Sequence, residues 1–308
     1  MKRSLIFWVE EYFYNPNIFQ KIISVLILPL SWIYCFVMYI RFKSSGSVDF
    51  DIDIVSIGNL TVGGSGKTPL TSALACKYKN VAIVLRGYGR QSKGLVVVKN
   101  TKDILCDVNI SGDEAMIYAN KVPDAIVIVS EDRKKGILKA KEMGAKLIFL
   151  DDAYSKHDIK KLDFLIEVNT KNNACLPSGP YRERLWNSKK VNLIKEDKDF
   201  TRVVKLKDAT ANMSLVTAIA RPQRLDKFLP KVVNKHYFED HYVFKKDELV
   251  KILEKDSSDS LLVTYKDYVK IKSFNLPLSL LDLEVEVNKD LYIVIDKYRG
   301  TFKNIKVD

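Results

Sequence analysis

The residues best suited to chemistry lie in the glycine-rich stretch "IVSIGNLTVGGSGKTPLT", from Ile54 to Thr71. An apolar run precedes the glycines and a helix-like run follows them, which is the strand–turn–helix arrangement of a phosphate-binding loop (P-loop). Such a loop presents bare backbone N–H groups and the positive end of a helix dipole to a phosphate. Lys67 would reach the β- and γ-phosphates of a nucleotide, and the Thr68 hydroxyl would ligate Mg²⁺. The predicted nucleotide-binding residues are Thr61, Val62, Gly63, Gly64, Ser65, Gly66, Lys67 and Thr68.

This stretch departs from the usual P-loop pattern at one position, because Thr61 stands where the first glycine is expected. Gly63, Gly64 and Gly66 still allow the backbone to approach a phosphate closely. A glycine-rich turn with a lysine nearby by chance is the alternative interpretation.

A pair of carboxylates follows another apolar run, "KLIFLDD", at Asp151 and Asp152. Ligands of parallel sheets bind at the carboxyl ends of the strands, and a nucleotide site needs a carboxylate there to hold Mg²⁺ directly or through water. The predicted metal ligands are therefore Thr68, Asp151 and Asp152, and which aspartate contacts the ion stays open. An aspartate pair that caps a turn is the alternative.

The arrangement of apolar runs predicts an α/β fold. Short strand-like runs alternate with helix-like runs after residue 46, which favours a parallel sheet with helices on both faces. We expect a P-loop domain over residues 46–200, a smaller α/β domain over 201–308, and an N-terminal helical region over 1–45. In the smaller domain, helices are expected at Arg224–Pro230 and Lys246–Lys255, and strands at "MSLVTAIAR", "VVNKHYF", "SLLVTYKD" and "DLYIVID".

The N-terminal region contains an uncharged apolar segment from Ile22 to Ile40, with Lys21 before it and Arg41 after it. Its length approaches that of a membrane span, and Pro29 would kink a helix there. A single span and a helix lying in the membrane interface both remain open, and a buried core helix is the alternative.

The net charge of +12 favours anionic partners, although a lysine-rich solvated surface explains it equally well. We expect no nucleic-acid partner, because no basic stretch is interleaved with aromatic residues. The four cysteines (Cys35, Cys76, Cys106 and Cys175) have no metal-like spacing and predict buried free thiols in a reducing compartment.

The sequences of several motifs resemble those of one family, the tetraacyldisaccharide 4'-kinases of lipid A synthesis. The phosphate loop "GNLTVGGSGKTP" lacks the first glycine as in that family, and further motifs recur in order. They are "LRGYGR", "SGDEA", "EDR", "DDAY", "PSGPYRE", "TAIARPQRL", "FEDHYVF" and "LVTYKD". The resemblance implies ATP and Mg²⁺ as cofactors and phosphorylation of the 4'-hydroxyl of a tetraacyldisaccharide 1-phosphate, which gives lipid IVA. The resemblance also implies a location on the cytoplasmic face of a Gram-negative inner membrane, with the N-terminal helix on the membrane surface. We expect the protein to be a monomer.

The same resemblance implies the catalytic residues. Asp113 of "GDE" would be the base that accepts the proton of the acceptor hydroxyl, paired with His241 of "DHY". Arg133, Arg182 and Glu183 would be further site residues, with ordinary surface ion pairing as the alternative. Because Lys67 and Asp113 fall in one expected domain and His241 in the other, closure of a cleft on ATP binding is expected.

Some positions depart from the family pattern or stay open. Ser155 and Lys156 replace the usual Gln and His, Tyr265 replaces Glu, and His157 receives no role. Arg86, Tyr88 and Arg90 would contact either the nucleotide or the 1-phosphate of the acceptor; these three assignments are left open.

Two other functions compete with the lipid kinase. A membrane-tethered P-loop NTPase acting in assembly or transport would hydrolyse nucleotide without a lipid acceptor. A non-catalytic basic binding module would not need Lys67 at all.

Overall fold

The computed structural model describes residues 2–219, 222–240 and 242–303. The chain starts with three helices: α1 (Lys2–Tyr14), α2 (Ile18–Leu26) and α3 (Leu28–Lys43). Asn17 caps α2 by accepting a hydrogen bond from the Gln20 backbone N–H at 2.9 Å. Pro29 lies in the first turn of α3, where its missing N–H is tolerated.

The α2–α3 pair is bent by 58° at Ile27, two residues before Pro29, where the sequence predicts a kink. Among the described residues, no single helix has the length and apolarity to cross a membrane, while α2 and α3 together reach that length and composition as a bent pair. Both helices expose large apolar side chains: Ile18, Phe19, Ile22, Val25, Leu26, Leu30, Trp32, Ile33, Phe36, Val37, Tyr39 and Ile40.

The first sheet has seven described strands, and all neighbouring pairs except one are parallel. The strands are β1 (Asp53–Gly58), β2 (Val81–Leu85), β3 (Val96–Lys99), β4 (Ile126–Val129), β5 (Leu147–Asp151), β6 (Leu162–Ile166) and β7 (Asn192–Ile194). Their order is β3-β4-β2-β5-β1-β6-β7, and β3 is antiparallel to β4. Strands β2, β4 and β5 are buried along their whole length, as in a sheet covered on both faces.

Helices cover this sheet on both faces. They include α4 (Lys67–Ala75), α5 (Val108–Ser111), α6 (Asp113–Lys121) and α7 (Arg133–Glu142). Leu70 and Leu74 of α4 and Tyr118 of α6 pack into one hydrophobic core, and Ile137 of α7 packs into another. The prediction of an α/β fold with a largely parallel sheet is confirmed.

The second sheet has five described strands in the order β10-β9-β11-β12-β8. They are β8 (Phe200–Lys207), β9 (Met213–Thr217), β10 (Lys235–Tyr237), β11 (Ser260–Thr264) and β12 (Leu278–Val287). Helices α8 (Lys246–Asp256) and α9 (Tyr265–Ile271) lie with it, together with short 3₁₀ turns at Pro222–Phe228 and Lys272–Phe274. Strands β8 and β12 are antiparallel, and the other neighbours are parallel.

The stretch "DLYIVID" forms a helix, so the strand expected there is wrong. Helix α10 (Lys289–Lys303) carries Leu291 and Ile295, whose spacing places both on one helical face. Both are buried in the core beside β1, and the Tyr292 hydroxyl donates to the Ala73 carbonyl at 3.4 Å. The last helix therefore packs on the first sheet, while the boundaries 46–200 and 201–308 stay predictions.

The expectation of four free buried thiols is also wrong. Cys35 of α3 and Cys175 form a disulfide, and Cys76 is a free but exposed thiol. The partners are 140 residues apart in sequence, so only the tertiary packing of α3 on the segment around Cys175 brings them together.

Candidate functional site

The glycine-rich loop joins β1 to α4, as the sequence predicts. Gly63 and Gly66 have φ of 91° and 81°, which favours glycine over other residues. A Cβ on Gly66 would also lie 2.7 Å from the Nη2 atom of Arg202. Arg202 of β8 donates to the Ser65 carbonyl at 3.1 Å, so the second sheet contacts the loop.

Lys67, Asp152 and Arg182 meet at Asn59, just after β1. The Lys67 ammonium donates to Asn59 Oδ1 at 3.1 Å and lies 3.7 Å from Asp152 Oδ1. Arg182 Nη2 donates to the same Asn59 oxygen at 3.0 Å and forms an ion pair with Asp152. Asn59 and Asp152 thus hold two cations next to the glycine-rich loop, and such cations can form charge-assisted hydrogen bonds with phosphate groups.

The two aspartates at the end of β5 have different environments. Asp151 is paired with Ile57 of β1 in the sheet and is buried, and burial, together with the charge of Glu114, raises the pKa of its carboxyl to about 7. Burial also acts to raise the pKa of Asp152, but the charges of Lys67 and Arg182 outweigh it and lower that pKa. Asp152 adopts φ of 51°, and its N–H donates to the Ile57 carbonyl at 2.9 Å.

The segment around Arg182 fixes the start of the loop by backbone hydrogen bonds. The Val62 N–H donates to the Pro180 carbonyl at 2.9 Å, and the Arg182 N–H donates to the Leu60 carbonyl at 2.9 Å. Thr61 forms a β-bridge with Tyr181 and does not adopt a positive φ, so this position does not need the conformational freedom of glycine.

Arg133, at the start of α7, is buried beneath the aspartates. Its Nη1 atom donates to the Ser130 carbonyl at 2.7 Å and its Nη2 atom to the Asp151 carbonyl at 3.4 Å. Burial lowers the pKa of its guanidinium to about 10. Arg133 therefore contacts the backbone next to the candidate metal ligands.

Glu183 is buried, and 3.6 Å separate its Oε2 atom from His157 Nε2. It also lines a small cavity of about 150 Å³ between the loop and α3. Asn59, Asp152 and Arg182 line the same cavity, opposite Tyr34 and Arg41 of α3.

Asp113 is the first residue of α6 and faces the second sheet. Lys270 of α9 places its ammonium 3.1 Å from Asp113 Oδ2 and 4.0 Å from Asp267 Oδ1. The same ammonium donates to the Tyr242 carbonyl at 3.4 Å. His241, the expected partner of Asp113, lies outside the described residues, so this pairing stays a prediction.

Asp267 of the "LVTYKD" motif is buried and accepts hydrogen bonds from the Thr217 and Thr264 hydroxyls, both at 2.7 Å. Burial raises the pKa of its carboxyl. It therefore organises the second sheet behind Lys270.

Of the three residues left open by the sequence, Tyr88 and Arg90 lie next to Gly112, which precedes Asp113. Arg86 donates to the Tyr88 hydroxyl at 2.9 Å, and Arg90 pairs with Glu131. A Cβ on Gly112, just before Asp113, would lie 2.8 Å from the Tyr88 carbonyl. The loop that carries Tyr88 thus packs directly against the start of α6.

The structure brings Lys67, Asp152 and Arg182 into one cluster, and holds Asp151 and Arg133 directly beneath it. Sequence reasoning missed Asn59, Arg202 and Lys270. Asn59 could have been suspected as a polar residue at the carboxyl end of an apolar strand, whereas the contacts of Arg202 and Lys270 depend on the packing of the two sheets.

Comparisons with known proteins agree with these motifs. The family model described as tetraacyldisaccharide-1-P 4'-kinase matches residues 23–212 and 195–298. A tetraacyldisaccharide 4'-kinase from Aliarcobacter butzleri is 46% identical over 98% of this chain and 100% of its own length. One from Campylobacter jejuni is 44% identical over 96% and 97%, and one from Helicobacter pylori is 46% identical over 94% of each chain.

A similar fold occurs in the crystal structure of the "apo" form of LpxK from Aquifex aeolicus in complex with ATP. The TM-score is 0.70 with 22% sequence identity, covering 90% of this chain and 99% of that one. At this identity the likeness concerns the fold alone.

Proposed function

The chain belongs to the tetraacyldisaccharide 4'-kinase family, and on that premise we propose that it transfers the γ-phosphate of ATP to the 4'-hydroxyl of a tetraacyldisaccharide 1-phosphate. The product is lipid IVA, an intermediate of lipid A. The observation that carries the proposal is the convergence of Lys67, Arg182 and Asp152 on Asn59 at the mouth of the glycine-rich loop.

The phosphates of ATP bind against the loop from Thr61 to Thr68, where backbone N–H groups and the start of α4 attract them. Lys67 and Arg182, now held by Asp152 and Asn59, turn toward the phosphates and stabilise the charge that spreads over the transferred group. Arg202 adds a third cation at the loop from the second sheet.

The acid pair fits Mg²⁺. Asp151 Oδ1 is buried without a hydrogen-bond partner, and Asp152 follows it at the same edge of the sheet. In the described part of the chain, no group of three or more His, Cys, Asp or Glu residues is arranged so that it could hold a metal ion. Mg²⁺ needs no such cage, because it uses one or two carboxylates together with phosphate oxygens and water. When bound, it neutralises charge on the phosphates, and Asp151, Asp152 and the Thr68 hydroxyl would hold it.

Asp113 acts as the base that accepts the proton of the 4'-hydroxyl. Lys270 keeps a positive charge beside this carboxylate, and its contact with the Tyr242 carbonyl leads directly to the segment that carries His241. The acceptor enters between the loop and the N-terminal helices, where Tyr34 and Arg41 of α3 face Arg182.

The exposed apolar side chains of α2 and α3 support attachment to a membrane surface. The lipid acceptor is present in a membrane, and ATP is present in the cytoplasm. We place the enzyme accordingly on the cytoplasmic face of the inner membrane, with its basic surplus attracted to anionic headgroups.

The test is incubation of the purified protein with γ-labelled ATP, Mg²⁺ and the tetraacyldisaccharide 1-phosphate in neutral detergent. Wild-type protein should yield labelled lipid, and Lys67→Ala should lose turnover almost completely. Asp113→Ala should bind ATP but transfer little phosphate. A folded wild-type protein that yields no labelled lipid would overturn the proposal, and hydrolysis without acceptor would indicate an NTPase instead.

A further inference from the structure

Lysine side chains surround a second cleft, at the C-terminal end of α3. The cleft has a volume of about 460 Å³, and we call it the lysine cleft. Its lysines are Lys43, Lys160, Lys161, Lys189 and Lys190. Asp163 is the one carboxylate among the described residues that line it.

The charges in the lysine cleft are unbalanced. Asp163 lies between the ammonium groups of Lys189, at 3.0 Å, and Lys161, at 3.6 Å. Lys160 is paired with Asp49 at 2.9 Å. Lys43 and Lys190 lie exposed at the rim. An anion is the ligand that would offset the remaining positive charge.

The cleft lies where the apolar surface of α3 ends. Phe36, Val37 and Ile40 are exposed on α3, and Lys43 follows them at the end of the helix. With those apolar side chains in a membrane interface, the lysine cleft lies at the depth of phosphate headgroups.

The cleft is also connected to the candidate active site. Lys189 places its ammonium 3.1 Å from His157 Nδ1, which therefore accepts a hydrogen bond. The other ring nitrogen of His157 then carries the proton and faces Glu183 at 3.6 Å. Glu183 follows Arg182 in the chain, and the Arg182 N–H donates to the Leu60 carbonyl, so side-chain and backbone contacts together join the cleft to the start of the glycine-rich loop.

We infer that the lysine cleft binds a phosphate group carried by a lipid. This phosphate belongs either to the acceptor, as its 1-phosphate, or to an anionic phospholipid of the surrounding membrane. The first source rests on the proposed function, whereas the second does not.

The test uses the double variant Lys43→Gln/Lys190→Gln, which removes two exposed charges and leaves the buried lysines in place. Lys251→Gln/Lys255→Gln on α8 is the matched control, with the same change in charge at exposed positions away from the cleft. One arm measures KM for the acceptor in neutral detergent, with the 1-phosphate and without it. The other measures sedimentation with phosphatidylcholine vesicles, with and without phosphatidylglycerol.

A rise in KM of about tenfold for the 1-phosphate acceptor alone would assign the cleft to the acceptor. A loss of about tenfold in phosphatidylglycerol-dependent binding, with KM unchanged, would assign it to the membrane lipid. If the cleft variant matches the control in both arms, the inference is wrong. If wild-type protein lacks kinase activity, the proposed function fails, and the vesicle arm alone decides about the cleft.

Discussion

At the scale of single residues, the two neighbouring aspartates Asp151 and Asp152 differ in the direction in which their environments shift the carboxyl pKa. Asp152 is held ionised by Lys67 and Arg182, while Asp151 is buried with a pKa raised to about 7. A raised carboxyl pKa in the folded state means that the folded protein binds a proton which the unfolded chain releases. Asp151 therefore destabilises the folded state increasingly as the pH rises from about 4 toward 7. Such a loss of stability is common where a residue serves activity, as the proposed Mg²⁺-binding role of Asp151 would.

We expect Asp151→Asn to raise Tm at pH 8 by about 2 to 4 °C, because the amide removes the buried charge. The gain should shrink toward pH 5, where Asp151 is already protonated. Kinase activity at pH 8 should fall about a hundredfold or more, since the variant loses one of the proposed ligands for Mg²⁺. Thermal unfolding at pH 8 and pH 5 measures the change in Tm, and initial rates measure the change in kinase activity. Asp103→Asn, at an exposed position, is the control. Equal Tm changes at both pH values would contradict the assignment.

The 3.1 Å ion pair between Lys270 and Asp113 suggests that Lys270 positions the proposed base. We expect Lys270→Met to lower kcat by about tenfold to a hundredfold, with KM for ATP unchanged, because Lys270 lies away from the phosphate loop. Lys270→Arg keeps the charge and should recover part of kcat.

Lys266→Met on the same helix is the control for this prediction, because Lys266 pairs with Asp240 at 2.7 Å and not with Asp113. Steady-state kinetics at saturating acceptor separate kcat from KM. A rise in KM for ATP with kcat intact would show that Lys270 serves the nucleotide and not the base.

At the scale of elements, one segment of irregular chain joins the N-terminal helices to the glycine-rich loop. The Ser178 N–H donates to the Ser31 hydroxyl of α3 at 2.9 Å, and the disulfide links Cys35 of α3 to Cys175. A few residues later, the same segment pairs with Leu60 and Val62 of the loop. The helices that carry the exposed apolar face are therefore linked directly to the candidate nucleotide site.

We expect Ile33→Ser/Phe36→Ser on α3 to weaken binding to phospholipid vesicles by about a hundredfold or more. Both side chains are more than 60% exposed, so Tm in detergent should hardly change. Leu138→Ser/Ile293→Ser removes comparable exposed apolar side chains from α7 and α10 and is the control. Vesicle flotation gives the measurement, and equal binding of the two variants would argue against a membrane role of α3.

The sequence predicted elements well where one local pattern decided them. The buried apolar runs of β1, β2, β4 and β5 and the glycines before α4 indicated a phosphate loop on a parallel sheet. The strands β8 and β12 were missed. Helix α10 was mistaken for a strand, because short apolar runs such as "LYIVI" fit both the helical periodicity and the alternation of a strand. Contacts such as Arg182 with Asn59, 123 residues apart, depend on tertiary packing and leave no local signal.

At the scale of the whole molecule, the candidate site lies between the two sheets. The first sheet supplies Lys67, Asp152 and Asp113, and the second supplies Arg202 and Lys270. Binding of ATP at the loop would give both sides a shared charged ligand, which favours their approach.

We therefore expect a non-hydrolysable ATP analogue with Mg²⁺ to reduce the distance between the sheets. Energy transfer between dyes on the exposed Cys76 and on Lys251→Cys of α8, in a Cys106→Ser background, should increase on addition of the analogue. Lys67→Ala, labelled in the same way, should show no increase. Small-angle scattering that gives the same radius of gyration with and without the analogue would count against closure.

The pairing of β8 with β12 restricts the directions in which the second sheet could move relative to the first during such a closure. The chain enters the second sheet through β8 and leaves it through β12, and the two strands are paired side by side from Leu280↔Lys207 to Val287↔Phe200. One end of this ribbon, at Phe200 and Val287, packs in the core of the first sheet, and α10 follows it there. A two-stranded ribbon bends readily across its plane but resists shear and sideways displacement. If the sheets approach each other as expected, this ribbon would serve as a hinge that returns Lys270 to the same place beside Asp113 at each turnover.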